Sequence, residues 1–391
     1  MIKEIFNDIF DLKQILLQKK SSGMYRSCPV VKKISSRLIS INNKNYINFA
    51  SNDYLGLSDH PKLINALHEG INLYGAGTGA SALVTGFTEA HNNLSLKLSE
   101  LTGKKGILLF NSGFAANQAL IKAFIDLKAD LVLDKLVHAS MQDAASRSTN
   151  FHRFQHQNLN KAEELISKLP KAVLFTEGVF SMDGDITDIA EINKICNKYN
   201  TPLVLDDAHG FGVIGEYGKG SLFTQNLTYN NADVYMGTLS KACGLSGAFI
   251  ATDEDLAAYM VNTSREYIYS TSAPAFLAHA TITALDIIHD GNELREHLFN
   301  LIKIFKNEIN QELIQLSNSQ TSIQPIIIGD TQKMLAVANY LKEKGLWCGA
   351  IRPPTVPINT ARLRITITAA HTENDIHQLT EALNEACNKI G

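Results

Sequence analysis

No apolar run in the sequence approaches the roughly 20 residues a helix needs to cross a bilayer, which sets aside a membrane-spanning protein. There is no dense Lys/Arg block either. A net charge of −3 at pH 7 offers little attraction to a polyanion, so nucleic-acid binding is disfavoured. The five cysteines, Cys28, Cys196, Cys243, Cys348 and Cys387, form no C-x-x-C pair. Scattered in this way they support neither a metal site nor a disulfide framework, and a reducing cytoplasm fits. The chain lacks G-x-x-x-x-G-K-[ST] and has no well-placed G-x-G-x-x-G, which argues against a nucleotide triphosphate or a dinucleotide. Internal repeats and low-complexity linkers are missing too. Ile2, Ile5, Phe6, Ile9 and Phe10 recur at helical spacing, but Glu4, Asp8 and Asp11 interrupt them and rule against a signal peptide.

What is present is enough apolar material for a large core. With 391 residues, 45% of them hydrophobic, the chain is long enough for two domains. The expected division is an N-terminal helical segment over 1–45, a large domain over 46–288 and a small C-terminal domain over 289–391. After residue 100, short apolar runs recur: "GILLF" at 106–110, "LVLD" at 131–134, "AVLF" at 172–175, "PLVLD" at 202–206, "DVYMG" at 233–237 and "GAFIA" at 247–251. Alternating with helix-like segments, they predict buried parallel strands of an α/β sheet. Polar residues follow the run ends: Asn111-Ser112-Gly113, His138, Glu177 with Ser181, Asp206 with His209, and Thr238 with Lys241. In such sheets ligands bind outside the carboxyl ends of the strands. From about residue 290, "LREHLFNLIKIFKNEINQEL", "IQPIIIG" and "ARLRITIT" predict a smaller α+β domain.

Lys241 is the one cation in "ADVYMGTLSKACGLSGAFIA". Desolvation there would lower its pKa and leave a nucleophilic amine; the competing reading is a loop lysine extended into water. "FNSGFAANQALIKAF" places a glycine turn before a helix, where the free amides of Gly113 and Phe114 could hold a phosphate, or merely connect a strand to a helix. In "LVLDDAHGFGVIGEYGKG" Asp206 ends an apolar run, and a buried carboxylate needs a partner such as a protonated ring nitrogen. The alternative is a capping aspartate beside a core histidine. An amine, an anion cradle and a carboxylate for a ring nitrogen together describe a pyridoxal phosphate site. His138 could stack on the ring, and Ser181 and Thr238 could donate hydrogen bonds to the cofactor. In "ARLRITITAAH" strict alternation puts Arg362, Arg364, Thr366 and Thr368 on one strand face, which is either a carboxylate-binding face or a solvated one.

"SNDYLGL", "NSGFAANQA", "TEGVFSMDGD", "LVLDDAHGFGVIGEYGKG" and "GTLSKACGLSGAFIA" resemble the α-oxoamine synthases, fold-type I pyridoxal phosphate enzymes, from about residue 45 to the end. The resemblance implies a large, mostly parallel-sheet domain with a smaller α+β C-terminal domain. It implies that Lys241 bonds to the cofactor aldehyde, Asp206 pairs with the pyridine nitrogen, His209 binds the ring hydroxyl and His138 stacks on the ring. It further implies that Gly113, Phe114 and Thr238 hold the phosphate, with Thr271 reaching it from the neighbouring subunit of a homodimer. Ser181 matches a cofactor-side position, while Asn52, Thr355 and the carboxylate-binding Arg364 match substrate positions.

The double proline of "AIRPPTVP" is similar to the members that join L-alanine to a pimeloyl thioester, carried on coenzyme A or an acyl carrier protein, with loss of carbon dioxide. One departure stands out: an N-terminal arginine cluster of the family is reduced to Arg26 in "MYRSCPV", either a surface residue or the grip on the far end of the acyl chain. Other members condense glycine with acetyl-CoA or serine with a long acyl-CoA. A non-catalytic subunit is the remaining alternative, and Lys241 argues against it.

Overall fold

The computed structural model describes residues 9–390. Strands β1 (Val31–Lys33), β2 (Leu38–Ile41) and β3 (Lys44–Phe49) form an antiparallel meander. Seven strands follow: β4 (Gly106–Phe110), β5 (Asp130–Asp134), β6 (Phe151–Phe154), β7 (Ala172–Glu177), β8 (Leu203–Asp206), β9 (Val234–Thr238) and β10 (Ala248–Thr252). They make one sheet in the order β4-β10-β9-β8-β7-β5-β6. The last three, β11 (Ile323–Gly329), β12 (Leu346–Ile351) and β13 (Ala361–Thr366), join the meander in a second sheet of order β1-β2-β3-β12-β13-β11.

The large sheet is buried on both faces. Along β5, Leu131 and Leu133 belong to one apolar cluster and Val132 to the other; along β7, Val173 and Phe175 oppose Leu174 in the same way. Successive strand side chains point to opposite faces, so covering both faces demands the continuous apolar runs read in the sequence. One expectation is corrected: "GAFIA" is not parallel. Strand β10 runs antiparallel to both β4 and β9. All five of its residues are buried, and an apolar run looks the same in either direction. Strand β6 was not expected, because as an edge strand with only Phe154 buried it has no apolar run.

The N-terminal stretch also differs from a purely helical segment. The helix Leu12–Ser21 buries none of its residues, and β1 and β2 follow it, with β3 crossing residue 45. Ile39 and Ile41 turn inward at period two, and β3 pairs in parallel with β12. That partner is some 300 residues away, so no local pattern announces it. The spacing through Ile2, Ile5 and Phe6, with Glu4 and Asp8, lies outside the described residues.

A charged clamp ties the carboxyl ends of β5, β6 and β7 together. His156, just after β6, reaches Asp134 at the end of β5 through Nδ1 (3.0 Å) and Asp185 in the turn after β7 through Nε2 (2.9 Å). Its ring also packs edge-on against Phe180 at 4.4 Å. Burial disfavours the imidazolium, but the two carboxylates outweigh it and lift the pKa to about 10. The raised imidazolium stabilises the fold fully below the unfolded value of about 6.5, and that contribution fades as pH climbs through about 10. We expect His156→Gln to cost about 2 kcal/mol near neutral pH, the scale of hydrogen bonds to charged groups. Thermal melts across this pH range check it: the wild-type advantage should shrink as pH rises, and an advantage that grew would contradict the account.

Candidate active site

The site forms at the carboxyl ends of β4, β5, β7, β8 and β9. Ser112 caps the helix Gly113–Asp126 by accepting the Ala115 amide (3.2 Å), which leaves the Gly113 and Phe114 amides without acceptors among the described residues. A Cβ at Gly113 would meet only Met236 and Thr238 Oγ1, at 3.7 and 3.9 Å, so the backbone is open to an approaching group. Gly113, Phe114, His138, Asp206, His209, Thr238 and Lys241 all line one cavity of about 240 Å³.

Asp206 is 4% exposed. Its Oδ1 accepts the Ala208 amide at 2.9 Å and its Oδ2 accepts Asn117 Nδ2 at 2.7 Å. The Asn117 amide also donates to Ser140 Oγ (3.1 Å), which lies 2.7 Å from His138 Nδ1. Because the Ser140 backbone N–H donates to the same Nδ1, that nitrogen carries no proton and Nε2 does. Burial, reinforced by Lys241 and opposed by Asp206, lowers the His138 pKa, so the ring is neutral. Asn117 was missed by the sequence reading. Its position one turn into a helix that starts at Gly113 was the available signal.

His209 is held by Tyr54, whose hydroxyl lies 2.5 Å from Nδ1. Burial, then the fields of Lys241 and Arg364, push His209 well below the ordinary histidine value. Arg364 donates to Tyr54 Oη (3.4 Å), to Asn52 Oδ1 (3.1 Å), to Thr366 Oγ1 (3.0 Å) and to the Ser181 carbonyl (2.6 Å). All of these acceptors are neutral. Arg364 is 7% exposed, and no carboxylate pairs with it among the described residues. The face shared by Arg362 and Arg364 is therefore buried, correcting the solvated alternative. Arg362 differs from Arg364, because Asp183 neutralises it at 2.5 Å. A buried cation without an acid partner is costly and marks a place for an anion.

Lys241 is half-buried, and no hydrogen bond or ion pair from the described residues reaches its Nζ. Desolvation lowers its pKa to about 8, chiefly against the opposing pull of Asp206. Beneath it, Asp207 is wholly buried, accepting Tyr235 Oη (2.8 Å) and the Ser221 amide (2.8 Å), and burial pushes its pKa up to about 7. A Cβ at Gly178 or Gly210 would come within 2.2 and 2.1 Å of Asp207 Oδ1, so glycine lets the turn after Asp206 close over this carboxyl.

Besides Asn52 and Arg364, four expected residues lie outside the lining of the Lys241 cavity. Ser181 and Thr355 line a neighbouring cavity of about 500 Å³ that shares His138 with the first. Arg26 lies at its rim, donating to Thr355 Oγ1 at 3.1 Å. Thr271 is elsewhere in this chain, accepting Asn111 Nδ2 through its carbonyl (2.8 Å) and bridging to Ser81.

A neutralisable amine, an amide cradle, a carboxylate and an unpaired arginine suit an aldehyde with a ring nitrogen and a phosphate, together with a carboxylate-bearing substrate. The sequence model of "Aminotransferase class I and II" matches residues 44–383. The chain belongs to this family. Within it the chain is an α-oxoamine synthase: an 8-amino-7-oxononanoate synthase of Photobacterium profundum is 44% identical over 385 residues, 96% of this chain and 97% of that protein. The same-named protein of Nitrosomonas eutropha is 40% identical over 96% of this chain and 98% of its own length. A solved 8-amino-7-oxononanoate synthase from Francisella tularensis superposes with a TM-score of 0.77 at 28% identity, covering 88% of this chain and 98% of that one. A lysine-to-alanine variant of a serine palmitoyltransferase from S. paucimobilis, solved with a bound PLP–myriocin aldimine, shares the fold, with a TM-score of 0.90 at 24% identity over the whole of both chains.

Labelling the cofactor-free α-oxoamine synthase with an amine-directed acylating reagent tests the lowered lysine. The Lys241 peptide should react with a midpoint near 8. A midpoint near the ordinary lysine value of about 10.4 would contradict the desolvation argument.

Proposed function

We infer that this enzyme joins L-alanine to a pimeloyl thioester with loss of carbon dioxide, giving 8-amino-7-oxononanoate for biotin synthesis, with pyridoxal phosphate as cofactor. The observation that carries the reading is that Lys241 and Arg364 are both drawn out of water with no acid partner, one suited to an aldehyde and the other to a substrate carboxylate. The pimeloyl specificity is supported by relatives of that name at 40–44% identity over 96% of the chain.

When bound, pyridoxal phosphate supplies an electron sink through its ring. Gly113, Phe114 and Thr238 would hold the phosphate, Asp206 the ring nitrogen and His209 the ring oxygen. Arg364, with Asn52 beside it, holds the alanine carboxylate and fixes the amino acid over the ring face. Lys241, neutral for a sizeable fraction of the time near pH 8, takes the alanine Cα proton and returns a proton to the product. His138 presents Nε2–H to the thioester carbonyl, where negative charge develops during attack. The cavity running from His138 and Ser181 to Thr355 accommodates the acyl chain, with Arg26 at its far rim.

A homodimer completes the reading. Thr271 lies outside the Lys241 cavity of its own chain, and Leu83, Val84 and Tyr269 near it are exposed by 52%, 73% and 71%. A second copy covering this patch would bring Thr271 to the neighbouring phosphate site. Five free thiols fit a cytoplasmic enzyme.

Purified protein supplied with alanine and pimeloyl thioester should release carbon dioxide and product, with Lys241→Ala inactive but folded. Product from glycine and acetyl-CoA alone would contradict the proposed substrates. Arg364→Ala should raise the alanine KM by about a hundredfold, the scale of a lost buried charge contact, and lower the melting temperature because its hydrogen bonds to Ser181, Asn52 and Tyr54 are lost. An unaltered KM would remove Arg364 from substrate binding.

A further inference from the structure

Strands β7 and β8 pair in parallel with Glu177 directly opposite Asp206, and both side chains line the Lys241 cavity. Residues in register on adjacent strands share a face, with backbones about 4.8 Å apart. The two carboxyls are not equally provided for. Asp206 takes a hydrogen bond on each oxygen, from Ala208 N–H (2.9 Å) and Asn117 Nδ2 (2.7 Å). Glu177, 2% exposed, has the His138 amide near its carboxyl, but its Oε1 is buried with no partner among the described residues. Neighbouring carboxyls in a dry site resist carrying two charges, and the charge settles where hydrogen bonds stabilise it.

We propose that Glu177 is a neutral positioning acid, its proton on Oε1, so that the Glu177–Asp206 pair carries one negative charge, held on Asp206 and facing the cofactor's ring nitrogen. The ring nitrogen rests on the pyridoxal phosphate reading above; the neutrality of Glu177 does not. Burial first, then the Asp206 charge, pushes the Glu177 carboxyl well above the usual carboxylate range. Asp134 on β5 acts in the same direction, while Lys241 after β9 and the His138 amide after β5 oppose it. A second anion here would stabilise the Lys241 ammonium and remove the neutral amine that the reaction needs. Keeping Glu177 protonated spares the site that cost.

Infrared difference spectra of the full chain test this, in an Asp207→Asn background because Asp207 has its own midpoint of about 7. Wild-type Glu177 minus Glu177→Gln should contain a protonated-carboxyl C=O band at neutral pH. In the same variant the Lys241 labelling midpoint should stay near 8, and PLP affinity should change by less than about threefold. A difference spectrum showing only carboxylate bands, or a Lys241 midpoint lower by a full unit, would overturn the proposal. If Glu177→Gln does not fold, Glu177→Asp in the same background replaces it: a protonated-carboxyl band at neutral pH that shifts with this substitution supports the proposal, and a band that does not shift, or none, overturns it. A chain that bound no PLP would defeat the proposed function and leave the infrared result standing on its own.

Discussion

Lys241 lies where water is scarce and no acid among the described residues hydrogen-bonds its amine, so its ammonium is supported from a distance, chiefly by the field of Asp206 at a neighbouring strand end. The rest of the site follows from that electrostatic imbalance. Burial lowers the amine towards neutrality, and the Asp206 carboxylate limits how far it falls. That carboxylate is anchored by Asn117 and the Ala208 amide, and removing such a bond to a charged group costs about 1.5–3 kcal/mol. The helix that carries Asn117 is the one whose first amides are left open. Anchoring the acid and exposing an anion cradle are therefore one structural event.

The same site depends on both sheets. Tyr54 and Asn52 follow β3 of the small sheet, Arg364 is on β13, and His209 follows β8 of the large one, yet hydrogen bonds join all four. Arg362 adds a buried ion pair from β13 to Asp183, in the turn after β7. Movement of the small sheet would shift Arg364 relative to Lys241, so substrate grip and sheet docking are coupled.

Much of the large sheet was legible, because strands covered on both faces must be apolar throughout and six such runs stand out. Direction was not, since "GAFIA" has no feature separating antiparallel from parallel. The sheet joining β3 to β12 rests on pairing between distant residues, which leaves no local trace. At the site, Lys241, Asp206, His209 and the Gly113 turn were visible as polar residues at the ends of apolar runs. Asn117 and Tyr54 were not, because each acts through a partner far along the chain. Glu177 and Asp207 were visible as acids but not as ones whose proton is held more tightly by burial, since burial beside another carboxyl is a tertiary property. Alternation in "ARLRITIT" gave the shared face of Arg362 and Arg364 but could not tell the neutralised arginine from the unpaired one.

The account stands on Lys241 being the group that bonds to the cofactor. Borohydride reduction of the PLP-loaded chain followed by peptide mass mapping reads this directly. A pyridoxyl group on the peptide containing Lys241, and on no other lysine, is the predicted result. A stoichiometric adduct on a different lysine, with Lys241 unmodified, would contradict it.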